Sequence, residues 1–379
     1  ETPVGYNTGI PEITIPLYTV KCGSLELPIT LSYHAGGIKV DDIASWVGLG
    51  WSLNAGGVIS ATIVGHFDSF INRADTLPSY SDVVNERFTG LSGTELLRAY
   101  NTACKDYQPD IFTYNFLGHS GQMLYDGNDQ QWYNFTGDKS VIFKRTDSRG
   151  PFTATDNKGN KYAFNDQETN GQLGDGITSS SVAYHMSEYV SCDAVDSIKF
   201  SYIFSSEYDN VKVMDPLAYG ASEKKKWEQL GNVSWTNKIG SKSYKFPRNN
   251  EYCYTTQKLS RIKASNGTTI EFVHDTSRDD IKRYPSQPQN ARKLSRIIIY
   301  DAYGNRIKSW EFLYDYFIAG TTSSYCPAHN KRLKLIGLRE YGSTDTEPRE
   351  YFFSYYGDSD GEPIMPHRNA YSGKDAWGY

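Results

Sequence analysis

The chain contains 379 residues, carries a formal net charge of −5, and is 38% hydrophobic and 22% charged. Its length predicts two or three packed units, and its composition is that of a globular rather than a disordered protein. The negative net charge argues against the concentrated basic patch that nucleic-acid binding needs, so we expect no nucleic-acid partner. Aromatic residues make up 14% of the chain, with 30 Tyr beside 33 Gly, which favours mainly β structure with glycine turns.

Residues 1–72 are predicted to form an N-terminal β region. Every second residue from 25 to 33 is apolar or aromatic, a period that indicates a strand and not a helix. Segment 43–65 has no charged residue and approaches the length of a membrane-spanning helix. Its glycines and its Ser, Asn and Thr residues would destabilise such a helix. We therefore predict buried strands with glycine turns in this segment and a chain that does not span a membrane.

A small helical insertion is predicted in residues 73–108, with its helical part near 80–106. Ser92 and Glu95 have the spacing of a capping box, and apolar residues follow at helical intervals. This segment differs in pattern from the β sequence on both sides of it.

Residues 109–204 are predicted to be a region of β-hairpins, with turns near 118–121 and 157–160. The polar, glycine-rich stretch 166–180 is predicted to be a long loop. Residues 205–250 have little hydrophobic periodicity and are predicted to be an irregular loop region.

The C-terminal region, residues 251–379, carries three copies of one hairpin layout. Each copy begins with Leu-x-x-Ile, passes through a turn and returns as apolar-x-Phe-x-aromatic. Alternate residues of a strand share one face, so each hairpin has an aromatic face that its neighbours must cover. The copies begin at Leu259, Leu294 and Leu333, and their returning strands reach His274, Tyr314 and Tyr355.

Two motifs in the chain resemble those of a known family. The middle copy contains Tyr-Asp-x-x-Gly-Asn at 300–305, which resembles the YD repeat of the RHS family of bacterial surface and toxin-carrier proteins. Gly-Leu-Gly-Trp at 48–51 resembles a motif at the start of the β shell in toxin-complex B components and in RHS-repeat proteins of Bacteroidetes. The motif residues are Gly48, Gly50, Trp51, Tyr300, Asp301, Gly304 and Asn305.

The resemblance implies a fold of antiparallel sheets made of consecutive hairpins, either an RHS-like β-shell segment or a β-sandwich. It also implies an extracellular or cell-surface location, with a signal peptide that is not part of this sequence, which opens at Glu1. The partner that it implies is the remainder of the same polypeptide beyond Tyr379.

Catalytic chemistry is not predicted from the sequence, and neither a cofactor nor a metal site is expected. The sequence Gly-His-Ser-Gly at 118–121 is one residue short of a nucleophile elbow. The carboxylate pairs at 41–42 and 279–280 are adjacent residues, which point to opposite faces of a strand and do not flank one glycosidic bond. The five cysteines lie too far apart in sequence for a redox pair or a zinc ribbon and are predicted to be buried free thiols.

Three functional hypotheses follow. The first is a non-catalytic structural module of a large secreted or surface RHS-like protein, contributing to a β shell or carrier. The second is an adhesin module that binds a surface glycan or protein through Trp132 and Tyr133, because exposed aromatic rings can stack on sugars. The third is a secreted hydrolase.

Overall fold

A computed structural model describes residues 9–62, 110–126, 131–145, 150–173, 180–213, 248–281, 291–320, 327–355 and 365–368. In these residues the fold is mainly β, as predicted, with twenty strands that pair in antiparallel fashion and one 3₁₀ helix, Pro327–Asn330. None of the helical structure in the described ranges is long and apolar enough to cross a membrane. The helical insertion predicted for 73–108 lies outside the described residues.

A small sheet is formed by three consecutive strands near the N-terminus. They are β1 (Glu12–Cys22), β2 (Leu25–His34) and β3 (Trp51–Asn54). The alternation predicted from 25 to 33 is confirmed, since the side chains of Leu25, Leu27, Ile29 and Leu31 are fully buried.

A large sheet that closes on itself contains the other seventeen strands. The first part of the chain contributes β4 (Gly57–Thr62), β5 (Ile111–Phe116), β6 (His119–Asp126), β7 (Gln131–Gly137), β8 (Ile142–Arg145), β9 (Phe152–Thr155), β10 (Lys161–Phe164), β11 (Asp166–Leu173), β12 (Ser180–His185) and β13 (Glu188–Val190). The second part contributes β14 (Ser197–Val213), β15 (Arg248–Ala264), β16 (Thr269–Asp275), β17 (Lys293–Tyr300), β18 (Arg306–Ile318), β19 (Lys331–Tyr341) and β20 (Arg349–Phe352).

Two regions predicted as loops contain strand instead. In the predicted loop 166–180, residues 166–173 form strand β11 instead, because they pair with β12 on one edge and with β15 on the other. Residues 205–213 and 248–250 belong to β14 and β15, which pair along their whole length. Backbone pairing outweighs the polar composition in both places. Residues 214–247 lie outside the described residues.

The C-terminal hairpins are present as predicted, and they form a continuous meander from β15 to β20. The third copy is shifted by two residues from the predicted alignment. Ile336 is an extra residue in β19, since Leu313 pairs with Gly337 and Tyr314 pairs with Leu335. This β-bulge makes Leu335-x-x-Leu338, and not Leu333-x-x-Ile336, the leading strand of the third unit.

The two sheets share one hydrophobic core. The indole Nε1 of Trp310 in β18 donates a buried hydrogen bond of 3.1 Å to the carbonyl oxygen of Leu17 in β1. Each aliphatic side chain that is fully buried in this shared core adds about 1.5–3 kcal/mol to the stability of the fold, relative to the same side chain exposed to water. Packing against the meander therefore covers the apolar face that three strands alone would expose.

Candidate functional site

Residues 40–51, which we call the clasp, run across the meander and join it to the small sheet. The carbonyl oxygen of Trp46 accepts a hydrogen bond of 2.9 Å from the amide of Leu294 in β17. The amide of Leu49 donates one of 2.8 Å to the carbonyl oxygen of Leu333 in β19. One short segment is thus bonded to strands of two different repeat units.

Trp51 ends the clasp and connects the Gly-Leu-Gly-Trp motif to the third hairpin unit. Its side chain is 4% exposed, and its Nε1 donates a hydrogen bond of 2.8 Å to the hydroxyl of Tyr355. That hydroxyl donates in turn to the carbonyl oxygen of Leu335. The ring centroids of Trp51 and Phe353 are 4.7 Å apart. The Gly-Leu-Gly-Trp motif and the returning strand of the third hairpin unit, which are far apart in sequence, therefore contact each other.

The two glycines of the motif are required by conformation and by space. Gly48 has φ +113°, and a Cβ added there would lie 3.1 Å from Cβ of Leu335. Gly50 has φ +77°, and an added Cβ would lie 2.7 Å from the ring of Tyr33. Only glycine adopts such backbone angles without strain and allows so close an approach.

A buried ion pair fixes the start of the clasp. Arg278 and Asp280, whose side chains are 1% and 3% exposed, form a bidentate pair at 3.0 and 2.7 Å. Arg278 also donates to the carbonyl oxygen of Ala44, and Asp280 accepts the amide of Leu333. The two adjacent carboxylates at 279–280 therefore have different environments. Asp280 is buried in this ion pair, whereas Asp279 is exposed and lies beside Lys331.

Arg332 adds a second buried cation close to this pair. It is 1% exposed and donates hydrogen bonds to the carbonyl oxygens of Val40 and Pro366. Burial, together with the neighbouring Arg368, lowers the pKa of the Arg332 guanidinium to about 10. The group remains charged at neutral pH and holds the clasp through backbone oxygens.

Each hairpin unit is closed by an aromatic ring that donates a hydrogen bond to the carbonyl oxygen of the unit's leading residue. Tyr314 donates to Leu294 at 2.7 Å, and Tyr355 donates to Leu335 at 2.5 Å. In the first unit, Nε2 of His274 lies 2.9 Å from the carbonyl oxygen of Leu259. A carbonyl oxygen only accepts, so Nε2 carries the proton. His274 is therefore a functional substitute for tyrosine.

A fourth unit, which the sequence analysis missed, precedes the other three. The hydroxyl of Tyr202 donates to the carbonyl oxygen of Met186 at 2.7 Å, and Tyr189 pairs with Ile198 as Ile262 pairs with Ile270. Its returning strand, Ile198-x-Phe200-x-Tyr202, has the same pattern as the other copies, and that pattern was the available signal. Tyr202 is also the strand partner of the next unit's leading residue, as His274 and Tyr314 are. The pairs are Tyr202–Leu259, His274–Leu294 and Tyr314–Leu335.

The Tyr-Asp-x-x-Gly-Asn motif forms a tight turn at one end of the second unit. Oδ1 of Asp301 accepts the amides of Tyr303 and Asn305 at 2.9 and 2.8 Å, and Gly304 has φ +85°. Hydrogen bonds from Asn305, with a smaller opposing effect of burial, lower the pKa of the Asp301 carboxyl group. Tyr300 pairs with Arg306 at the base of the turn.

The same turn occurs a second time, at 156–160, in a hairpin that the sequence analysis predicted without recognising its chemistry. Oδ1 of Asp156 accepts the amides of Lys158 and Asn160 at 2.8 and 2.9 Å, and Gly159 has φ +83°. Asp156 is 8% exposed and also accepts the hydroxyl of Tyr162 at 2.8 Å. The shared pattern Asp-x-x-Gly-Asn was visible in the sequence.

The Gly-His-Ser-Gly sequence does not form a nucleophile elbow. Leu117 and Gly118, both with positive φ, make a two-residue turn between β5 and β6, so the turn begins one residue earlier than predicted. Nδ1 of His119 lies 2.6 Å from Oδ2 of Asp138. Hydrogen bonds from Ser140, and then from His119, lower the pKa of the Asp138 carboxyl group to about 2.

Trp132 and Tyr133, predicted to bind a ligand, point to opposite faces of β7. The ring of Trp132 packs among Phe112, Tyr125 and Phe152, with centroids about 5 Å away. Tyr133 is 43% exposed on the other face. The two rings cannot form one flat platform, and ligand binding by Trp132 or by Tyr133 stays a prediction.

Metal-ligating side chains do not cluster in threes anywhere in the described parts of the chain. Cys22 is a buried free thiol, as predicted, whereas the free Cys192 is exposed. The other three cysteines lie where the structure describes no side chain. The described groups of this site hold the two sheets together by hydrogen bonds, ring packing and one buried ion pair.

Comparison with known proteins gives structural neighbours only. No known family and no curated protein matches the chain. A crystal structure of TcdB2-TccC3-Cdc42 has TM-score 0.41 and 11% identity, covering 91% of this chain and 16% of that one. The Tc holotoxin pore of Photorhabdus luminescens has TM-score 0.41 and 11% identity over 89% of this chain and 15% of that one.

A third neighbour is the N-terminal domain of the effector protein SpvB from Salmonella typhimurium strain LT2. It has TM-score 0.36 and 14% identity, covering 87% of this chain and 98% of that one. This chain spans about a sixth of the length of the first two neighbours. Because these TM-scores are below 0.5, we assign no family from them.

Proposed function

We propose that this chain is a non-catalytic structural module of a large secreted or cell-surface protein, in which it contributes to a β shell or carrier. The clasp carries the proposal. The residues that the sequence singled out at 48–51 join the small sheet to the hairpin meander, with Trp51 bonded to Tyr355. Their chemistry is that of packing and backbone hydrogen bonding.

The hairpin units support the same proposal. Polar aromatic side chains that could serve a reaction are instead engaged by backbone carbonyl oxygens in all four described units. Burial raises the pKa of the Tyr314 hydroxyl well above its ordinary value, so it remains a neutral donor. A repeat closed in this way can be extended by further units of the same polypeptide.

Two measurements on the purified chain test the proposal. Assays against panels of glycans and esters are expected to show no turnover; turnover that disappears on His119→Ala, or on replacement of another described acid or base, would overturn it. Trypsin digestion is expected to cut Trp51→Ala faster than Trp51→Phe, because phenylalanine retains the ring contact with Phe353. If both variants resisted trypsin equally, the clasp would no longer support the proposal.

Surface binding is a second candidate, supported by three exposed apolar side chains on neighbouring strands. Tyr133 and Phe135 on β7 are 43% and 42% exposed, and Ile142 on β8 is 62% exposed. Glycan-array and cell-surface binding by the wild type, Tyr133→Ala and Phe135→Ala test it. Binding that is lost in both variants supports an adhesin role, and unchanged binding contradicts it.

A further inference from the structure

A cleft of about 520 Å³ lies where the small sheet meets the large one. Strands of both sheets contribute to its walls, with Thr30 and Asn54 on one side and Glu168, His185 and Gln257 on the other. The volume is within the range of small-molecule sites. The cleft is separate from the buried ion pair of the clasp and from the exposed face of β7.

Glu168 lines this cleft, and among the described residues none donates a hydrogen bond to its second carboxylate oxygen, Oε2. Its Oε1 accepts the amide of Gln257 at 2.8 Å and lies 3.1 Å from Nε2 of His185. The imidazole of His185 thus lies against the carboxylate, although within the described part of the chain its Nε2 makes no hydrogen bond of good geometry. Among the described residues Oε2 has no hydrogen-bond donor, and the side chain is 21% exposed.

The carboxyl group of Glu168 is ionised at neutral pH. Burial opposes ionisation, but His185 and the amide of Gln257 outweigh burial and lower the pKa of Glu168. An ionised oxygen that faces solvent in a cleft accepts hydrogen bonds that are stronger than those of a neutral group.

The two charged side chains of the cleft have opposite signs. Glu168 and Lys258 both line it, and Lys258 lowers the pKa of Glu168, so together they give the lining no net charge that would favour an ionic ligand. A neutral ligand with several hydroxyl groups enters without the desolvation cost of an ion. Its hydroxyls can donate to the carboxylate and exchange hydrogen bonds with the amide side chains of Asn54 and Asn115.

Apolar surface completes the lining. Trp46, Leu53, Tyr202 and Leu259 face the cleft beside its polar groups. Trp46 is held by stacking on His274, with ring centroids 5.3 Å apart, and the hydroxyl of Tyr202 is engaged by Met186. Fixed rings next to hydrogen-bonding groups match a pyranose, which has an apolar face and a hydroxyl-bearing edge.

We propose that this cleft is a binding site for a neutral saccharide of one or two rings, with Oε2 of Glu168 as the principal acceptor for its hydroxyl groups. This site differs from the β7 surface because it needs no exposed aromatic platform, and its ligand lies in a cleft between two sheets. It goes beyond the structural role, which does not depend on any ligand.

Calorimetric titration of the whole chain with neutral mono- and disaccharides tests the proposal. Glu168→Gln is expected to weaken binding about tenfold or more, because it removes a charged acceptor. The matched control is Glu188→Gln, which makes the same change in an ion pair with Lys199 outside the cleft and is expected to leave affinity unchanged. No saturable binding of any neutral saccharide, or equal loss in both variants, would overturn the proposal.

Three further measurements keep the test decisive if Glu168→Gln does not fold. Asn115→Ala at the rim is expected to weaken binding several-fold. On the unaltered protein, a sugar phosphate and an amino sugar are expected to bind more weakly than their neutral parent sugar, and bound sugar is expected to protect the amides of β12 and β15 from hydrogen exchange. Preference for a charged sugar contradicts the assignment, and so does protection confined to β7 and β8. Neither result bears on the clasp.

Discussion

His274 shows how one residue type can replace another when only a hydrogen-bond donor is required. Its ring occupies the place of a tyrosine and reaches the carbonyl oxygen of Leu259 at 2.9 Å. Burial, and then the nearby cations Arg292 and Lys258, lower the pKa of His274 to about 4. The neutral ring that results has one N–H, which is all that the carbonyl oxygen needs.

Removing the ring donor is expected to destabilise the protein. His274→Phe keeps an aromatic ring but leaves the carbonyl oxygen of Leu259 without its donor, which costs about 1–3 kcal/mol for a buried group. Tyr314→Phe is expected to have a similar effect through Leu294. Urea unfolding measures both changes in the free energy of unfolding. If neither substitution changed the free energy of unfolding, ring packing alone would be enough to close the hairpins.

The pH dependence of stability follows from the lowered pKa of His274. The unfolded chain binds a proton near the ordinary histidine pKa of 6.5, whereas the folded chain binds it only near about 4. Stability is therefore lost as the pH falls from 6.5 towards 4. Urea midpoints at pH 7 and pH 5 are expected to differ more for the wild type than for His274→Tyr. An identical difference in both proteins would contradict the assignment.

At the scale of elements, the clasp depends on close approach between a glycine loop and strand β19. Gly48→Ala introduces both an unfavourable positive φ and a contact of 3.1 Å with Leu335. Gly304→Ala introduces the strain alone, since no atom lies within 4 Å of the added Cβ. We expect Gly304→Ala to cost about 1–2 kcal/mol and Gly48→Ala to cost clearly more. Thermal unfolding of both variants tests the contact, and equal destabilisation would exclude it.

The buried and exposed carboxylates at 279–280 offer a second matched comparison. Arg278→Ala leaves Asp280 buried without its partner, and we expect a loss of about 3–5 kcal/mol. Lys331→Ala disrupts the exposed pair with Asp279 and is expected to cost below about 1 kcal/mol. Denaturant unfolding measures both. A mild effect of Arg278→Ala would mean that the ion pair does not fix the clasp.

Strands in which every second residue is apolar were predictable, because this alternation alone determines which face of the strand is buried. The strands at 25–33 and the three C-terminal hairpins were predicted for that reason. The alignment of the third unit was wrong because Leu333 and Leu335 are both apolar and share one face, so only the bulge at Ile336 distinguishes them. The unit from Met186 to Tyr202 was missed because methionine leads it in place of leucine.

The pairing of segments that are distant in sequence could not be predicted from sequence patterns. Strand β11 is polar and glycine-bearing, and it is a strand because β12 and β15 occupy its two edges. Trp51 and Tyr355 are separated by 304 residues, yet they share a hydrogen bond. The motif residues of the clasp were therefore predictable as important, but their partners became visible only in the fold.

At the scale of the whole molecule, we expect the clasp to make the small sheet and the meander one cooperative unit, since both share one hydrophobic core. Hydrogen exchange of the full chain, compared between the wild type and Trp51→Ala, tests this most directly. We expect the amides of β1 and β2 to lose protection together with those of β19 and β20, although these strands are far apart in sequence. Loss confined to the residues next to position 51, with β19 and β20 as protected as before, would contradict it.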